Sequence, residues 1–272
     1  MSSSQCEVCE NRGYILLDTN FLIFLLDYLH IQNRRVGISD YCSRLNEILL
    51  ALSGCSINQK LYVSKRLFDI EIDYSNNNRA ALFGESRKFN RGYRTDIIKV
   101  LGIIIPFLSI IAVDNNDLNL IQNEANAFFR NNPPGENDLS LILLALNLSN
   151  SDSDGNSSLI ISGDTKMKIF QENHLMVLGT FQNHQGDTLD CDVFNIEDSF
   201  NPLARVYSCC KLDTIDDYYD IYCEKVKSLL RDKIEVRRSF DRKFDIFKEI
   251  AINKYSFDLI KERNLEEGVC VE

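Results

Sequence analysis

Four aspartates, Asp18, Asp69, Asp138 and Asp164, stand at places where a chain of alternating strands and helices would collect them. Asp18 ends the apolar run Ile15-Leu16-Leu17, and Asp164 follows Leu159-Ile160-Ile161 after Ser162-Gly163. Asp138 opens the apolar segment 139–148, and Asp69 comes a few residues after Leu61-Tyr62-Val63-Ser64. Each alone has a plain structural role, since an aspartate after a strand caps the next helix and one in a first helical turn suits the helix dipole. Together they have a chemistry. Carboxylates crowded at one place repel one another and raise one another's pKa unless a positive charge sits among them. No Lys or Arg adjoins Asp18 or Asp138 in sequence. Hard oxygen donors of this kind suit Mg2+ or Mn2+, and such ions activate water and stabilise charge on a phosphate. The chemistry expected is hydrolysis of a phosphodiester.

The order of these segments resembles that of the PIN-domain nucleases. Ile15-Leu16-Leu17-Asp18-Thr19-Asn20 resembles the opening strand and first acid of that family. Tyr62-Val63-Ser64-Lys65-Arg66-Leu67-Phe68-Asp69-Ile70 resembles its second segment, Gly135-Glu136-Asn137-Asp138-Leu139 with the Ala/Leu-rich run after it the third, and Ile160-Ile161-Ser162-Gly163-Asp164 the fourth. The resemblance spans residues 14–200, with long insertions between the motifs. It implies that Asp18, Asp69, Asp138 and Asp164 hold the metal, directly or through water, with Asn20 and Ser162 orienting them. Glu71 is a rival for the second position and Glu136 a candidate extra member. Ser162 replaces the usual Thr before the last acid, and Gly163 stands where a polar residue is common. The activity implied is that of a metal-dependent endoribonuclease, and by family analogy a toxin or defence nuclease.

The elements that must position these acids can be read from the apolar pattern. Continuous apolar runs at 14–17, 61–63, 108–113, 159–161 and 175–181 read as strands buried on both faces. Helices are expected at 21–29, 39–52, before Pro106, at 116–130, 139–148 and 165–172. Buried strands alternating with helices predict a parallel sheet covered on both faces, here a PIN-like three-layer α/β/α domain over residues 13–201. Such sheets carry their sites at the carboxyl ends of the strands. Residues 1–12 read as a loose tail. Residues 202–272 read as an α-helical C-terminal extension, a candidate surface for a protein partner or for self-association.

The 272 residues, 44% hydrophobic and 26% charged, are those of an ordinary globular chain. The net charge of −10 argues against indiscriminate adhesion to nucleic acid, though not against a nuclease. A basic stretch, Arg87, Lys88, Arg91 and Arg94 with Phe89 and Tyr93 between them, is the candidate RNA-binding segment; a solvated helix face is the plainer reading. The longest apolar run, near 100–113, is too short to span a bilayer, and residues 1–5 show no basic-then-apolar leader pattern. A cytoplasmic protein with no membrane partner is therefore expected. Nine cysteines in an odd count suggest no disulfide framework, and Cys6-x-x-Cys9 is at most half a zinc site. His30, His174 and His184 show no ligand spacing.

Two other readings remain. A haloacid-dehalogenase-type phosphatase also starts with an aspartate after a strand, but it needs a second one two residues on, where this chain has Asn20. A PIN-like scaffold that binds RNA or protein without cutting would retain the fold and leave the acids idle.

Overall fold

The structure, a computed structural model, describes residues 13–32, 37–74, 81–85, 94–129, 133–179 and 181–197. Its centre is a five-stranded sheet, all parallel: β1 (Gly13–Leu17), β2 (Ser56–Ser64), β3 (Leu108–Ile111), β4 (Ser158–Ile161) and β5 (Phe194–Glu197), in the spatial order β3-β2-β1-β4-β5. The parallel sheet expected from the apolar runs is thus present. Successive strand residues point to opposite faces. Leu16 and Leu17 are both fully buried, as are Ile160 and Ile161, so both faces are covered.

The cover divides as handedness requires. The chain moves β1 to β2 to β3 in one direction, then crosses back to β4 and on to β5. Right-handed crossovers put the helices of these two journeys on opposite faces. The outward journey carries α1 (Thr19–Gln32), α2 (Ile38–Gly54), the short α3 (Lys65–Leu67), α4 (Ala81–Glu85) and α5 (Arg94–Ile104). Of these, α2 packs on β2 and against α1 and α5. The return carries α6 (Asn115–Phe128), α7 (Glu136–Ser151) and α8 (Thr165–Leu178). Here α7 lies on β1, β2, β4 and β5 and α6 packs on both α7 and α8. The eight consecutive residues of α7 from Leu139 to Leu146 are all buried. A helix buried all round needs no polar face, which is why its sequence shows so little amphipathic contrast.

Because the chain leaves β1 in one direction and enters β4 on its other side, the strand order reverses between β1 and β4. In open parallel sheets the crevice outside the carboxyl ends at such a reversal is where ligands bind. Leu17 and Ile161 are paired at that edge, and the Asp18 N–H donates to the Ile161 carbonyl at 3.1 Å.

One strand expectation is corrected. The strand expected at 175–181 is replaced by helix at its start: residues 175–178 belong to α8, which ends at Leu178, and the last strand is β5. No Gly or Pro interrupts 165–178, so the helix runs on until Gly179, whose φ of +53° suits the left-handed turn that ends helices. Val177 and Leu178 are buried as helix residues. An apolar run this short fits either element by pattern alone. The expected tail (1–12), including Cys6 and Cys9, and the expected helical extension (202–272) lie outside the described residues. Among the described residues no helix is long and apolar enough to cross a membrane.

Candidate functional site: an acid rim at the strand reversal

Asp18 is set by the turn from β1 into α1. Its carbonyl accepts the N–H groups of Phe21 and Leu22, starting the helix, and its side chain is 1% exposed. Ser162, just past β4, donates its hydroxyl to Asp18 Oδ2, and Asn20 Nδ2 donates to the same oxygen at 3.2 Å. Ser162 Oγ in turn accepts the Asp164 N–H at 3.1 Å. One serine therefore links the acids that follow β1 and β4. Asp164 turns inward on its own helix start, accepting the Lys166 N–H at 2.8 Å.

Asp138 occupies the first turn of α7. Its Oδ2 accepts the Gly135 N–H at 2.9 Å, half of a capping box. A Cβ on Gly135 would stand 3.2 Å from that same oxygen, so a side chain there would crowd the carboxylate.

The second position differs from the expectation. Asp69 is exposed and paired with Lys65 Nζ at 2.6 Å. Glu71 instead accepts from Asn137 Nδ2 at 2.5 Å, against the first turn of α7, and its charge acts on both Asp18 and Asp138. The reason is angular. Residues two apart in a helix project from nearly opposite sides, so only one of the pair can face α7. Residues Phe68–Ile72 form a π-helical turn, a widening of the helix often found at functional sites. Glu136, considered as an extra member, is paired with Arg66 at 2.6 Å.

Burial pushes the Asp18 carboxyl up to about 6, against the hydrogen bonds from Ser162 and Asn20, and the charge of Glu71 adds to the rise. Burial also pushes Asp138 up to about 7, with the charges of Asp18, Asp164 and Glu71 adding to it. Asp18, Glu71, Asp138 and Asp164 thus form one electrostatic group. Among the described residues none of the four forms an ion pair with a cation.

Three further links fix the rim. Ser64, at the end of β2, caps α3 by accepting the Leu67 N–H and meets Ser140 Oγ at 2.6 Å, while Ser140 donates to the Asn137 carbonyl. With Asn137–Glu71 and Arg66–Glu136, these bonds hold the segment after β2 against the start of α7. Asn137 and Ser140 were not singled out in the sequence, and Ser64 was read only as the residue that closes β2 and opens the next helix. Polar residues scattered through apolar segments give no sign of pairing over such separations.

A different group meets metal-ligand spacing. Asp114, Asp117 and His184 each bring one ligand atom within 4.8 Å of the others, and among the described residues this is the set of three that does so. The rim carboxylates feel one another electrostatically, but no three of them meet that spacing. Asp114 caps α6 through the N–H groups of Asn116 and Asp117. The buried Asp117 accepts both the His184 N–H, at 2.6 Å, and the ring Nδ1, at 2.9 Å. The group is a clasp that pins the 181–193 loop to α6. Sequence reasoning assigned it nothing, although Asp114 follows a strand just as Asp18 and Asp164 do.

Of the expected RNA-binding segment, Arg87, Lys88 and Arg91 lie outside the described residues. Arg94 begins α5.

The fold and the rim define an α/β chain with a parallel sheet whose acids collect where its strand order reverses. No family model matches the chain. No curated protein and no solved structure matches it either.

Proposed function

We propose that this chain is a metal-dependent ribonuclease of PIN-like type. Asp18, Glu71, Asp138 and Asp164 would hold Mg2+ or Mn2+, with Glu71 taking the place first expected of Asp69. The arrangement that carries this reading is the gathering of Asp18, Glu71, Asp138 and Asp164 at the strand reversal, near enough for the charges of the other three to act on Asp138, with no cation paired to any of the four among the described residues. The donor set fits the ion: hard oxygens at a strand reversal, in need of positive charge. Such an ion supplies an activated water and charge stabilisation at a phosphodiester. The chain's own residues have simpler tasks. Ser162 and Asn20 orient Asp18, Asn137 orients Glu71, and α7 aims Asp138. The PIN likeness rests on the order of the acids and on the parallel sheet. A toxin or defence role, and contacts of residues 202–272 with a partner or a second copy, belong to this reading as expectations.

One observation favours a second reading, a PIN-like scaffold that binds RNA or protein without cutting. No three of the rim carboxylates bring their oxygens within 4.8 Å of one another as the clasp residues do. One experiment separates the two. Single-stranded and structured RNA are incubated with the protein in Mn2+, in Mg2+ and in chelator. The ribonuclease reading expects cleavage only with metal, falling at least about 100-fold in Asp18→Asn, since even residues that only orient a metal ligand cost 10–100-fold when lost. Binding without cleavage under every metal condition would establish the scaffold instead.

A further inference from the structure

We propose that Arg66 is the cation that receives the substrate's phosphate beside the acid rim, with Glu136 as its resting counter-ion. The assignment rests on the ribonuclease reading and goes beyond it, because the rim itself only repels a phosphate. Besides the ion the rim would hold, a protein cation next to the acids offsets their field for an approaching polyanion. Two cations begin the helix after β2, and both are already paired. Lys65 is held by Asp69, outside the rim, whereas Arg66 is held by Glu136 on α7, beside Asn137 and two residues before Asp138. Arg66 is therefore the one tied to the element that carries a rim acid.

Two features mark this pair as a resting state. The Arg66 and Glu136 side chains are 36% and 38% exposed, and ion pairs so open to water contribute little and exchange readily. The Arg66 Nε–H is shielded from solvent and has no hydrogen-bond partner among the described residues. A guanidinium offers a planar fork that grips phosphate through two parallel bonds. In its present pose one prong of that fork is unmet, which disfavours the pose. Turning outward onto a phosphodiester would satisfy it and leave Glu136 at the start of α7, where the helix dipole favours a negative charge.

The test measures binding of a fluorescent single-stranded RNA to the full chain in Ca2+, as a function of salt, alongside cleavage in Mn2+. Arg66→Gln is expected to weaken binding about 10-fold and to lower the salt slope by about one contact. Glu136→Gln is expected to tighten binding several-fold, a gain that misfolding cannot produce. Thermal unfolding checks that Arg66→Gln is folded. Unchanged affinity and salt slope in Arg66→Gln, with wild type still binding, would overturn the assignment and leave the ribonuclease reading standing. Weakened binding in a protein that cleaves under no metal would keep Arg66 and remove the ribonuclease. A wild-type chain that binds no RNA would remove both.

Discussion

The acid rim and the Asp114–Asp117–His184 clasp are made from similar parts, an aspartate after a strand and another in a first helical turn, yet they settle their charge in opposite ways. In the clasp a histidine sits on the acids. His184 donates from ring and backbone, and the hydrogen bond to Asp117, with the charges of Asp114 and Asp117, holds its pKa above the usual value. In the rim four carboxylates act on one another with no cation paired to them among the described residues, and two of them are driven up to about 6 and about 7. A charge cluster that balances itself serves the fold. One left unbalanced at a strand reversal points to a ligand from outside.

The largest break in that comparison should come from pH and metal together. Asp18 and Asp138 have folded pKa values raised above the ordinary 3.8, so the folded state holds these protons more tightly than the unfolded chain. Their contribution to stability is full below about pH 4 and is lost as pH rises through about 6 and 7. For buried Asp18 alone the loss is on the order of 3 kcal/mol. In chelator at pH 8, Asp138→Asn should therefore raise the melting temperature. Millimolar Mn2+ should raise that of wild type by several degrees, since a ligand at ~100 times its Kd stabilises by about 2.7 kcal/mol. At pH 4.5 the Mn2+ effect should vanish. No shift with Mn2+ at pH 8, or a loss of stability in Asp138→Asn, would make the rim as self-sufficient as the clasp.

The clasp should show a smaller effect, with no need of metal. His184 has its pKa raised, so its contribution is present below about 6.5 and is lost as pH rises through the folded value. The comparison is wild type against His184→Gln in chelator, so that the rim's own titration cancels. The difference in melting temperature should be largest near pH 6 and should shrink toward pH 9. A difference independent of pH would mean that the ring packs the loop without carrying charge.

Much of this architecture was legible in the residues. Continuous apolar runs announced strands buried on both faces, and an aspartate after each of two runs announced where β1 and β4 end. What escaped was whatever depends on angle or on distant pairing. The apolar residues 175–178 fit strand or helix alike, and what decided it was the lack of any break from Thr165 until Gly179, which ends α8. His184 is 67 residues from Asp117, and no spacing rule joins them. Asn137 reaches Glu71 across 66 residues. The choice between Asp69 and Glu71 turns on which side of one helical turn meets α7, and counting from Ser64 does not reveal that.

That choice also gives the smallest predicted effect. Asp69 and Lys65 form an exposed pair one turn apart, and such pairs contribute about 0.3–0.5 kcal/mol. Asp69→Asn should therefore change stability by no more than this, and should leave both RNA cleavage and the Mn2+ shift in melting temperature intact. Glu71→Gln, two residues on, should abolish both, because it removes a charge that acts on Asp18 and Asp138. The pair of variants differs in little but the direction in which each side chain leaves the helix. If Asp69→Asn instead lost the Mn2+ response and Glu71→Gln kept it, the helix after β2 would present its other side to the rim in solution, and Asp69 rather than Glu71 would be the second acid of the group.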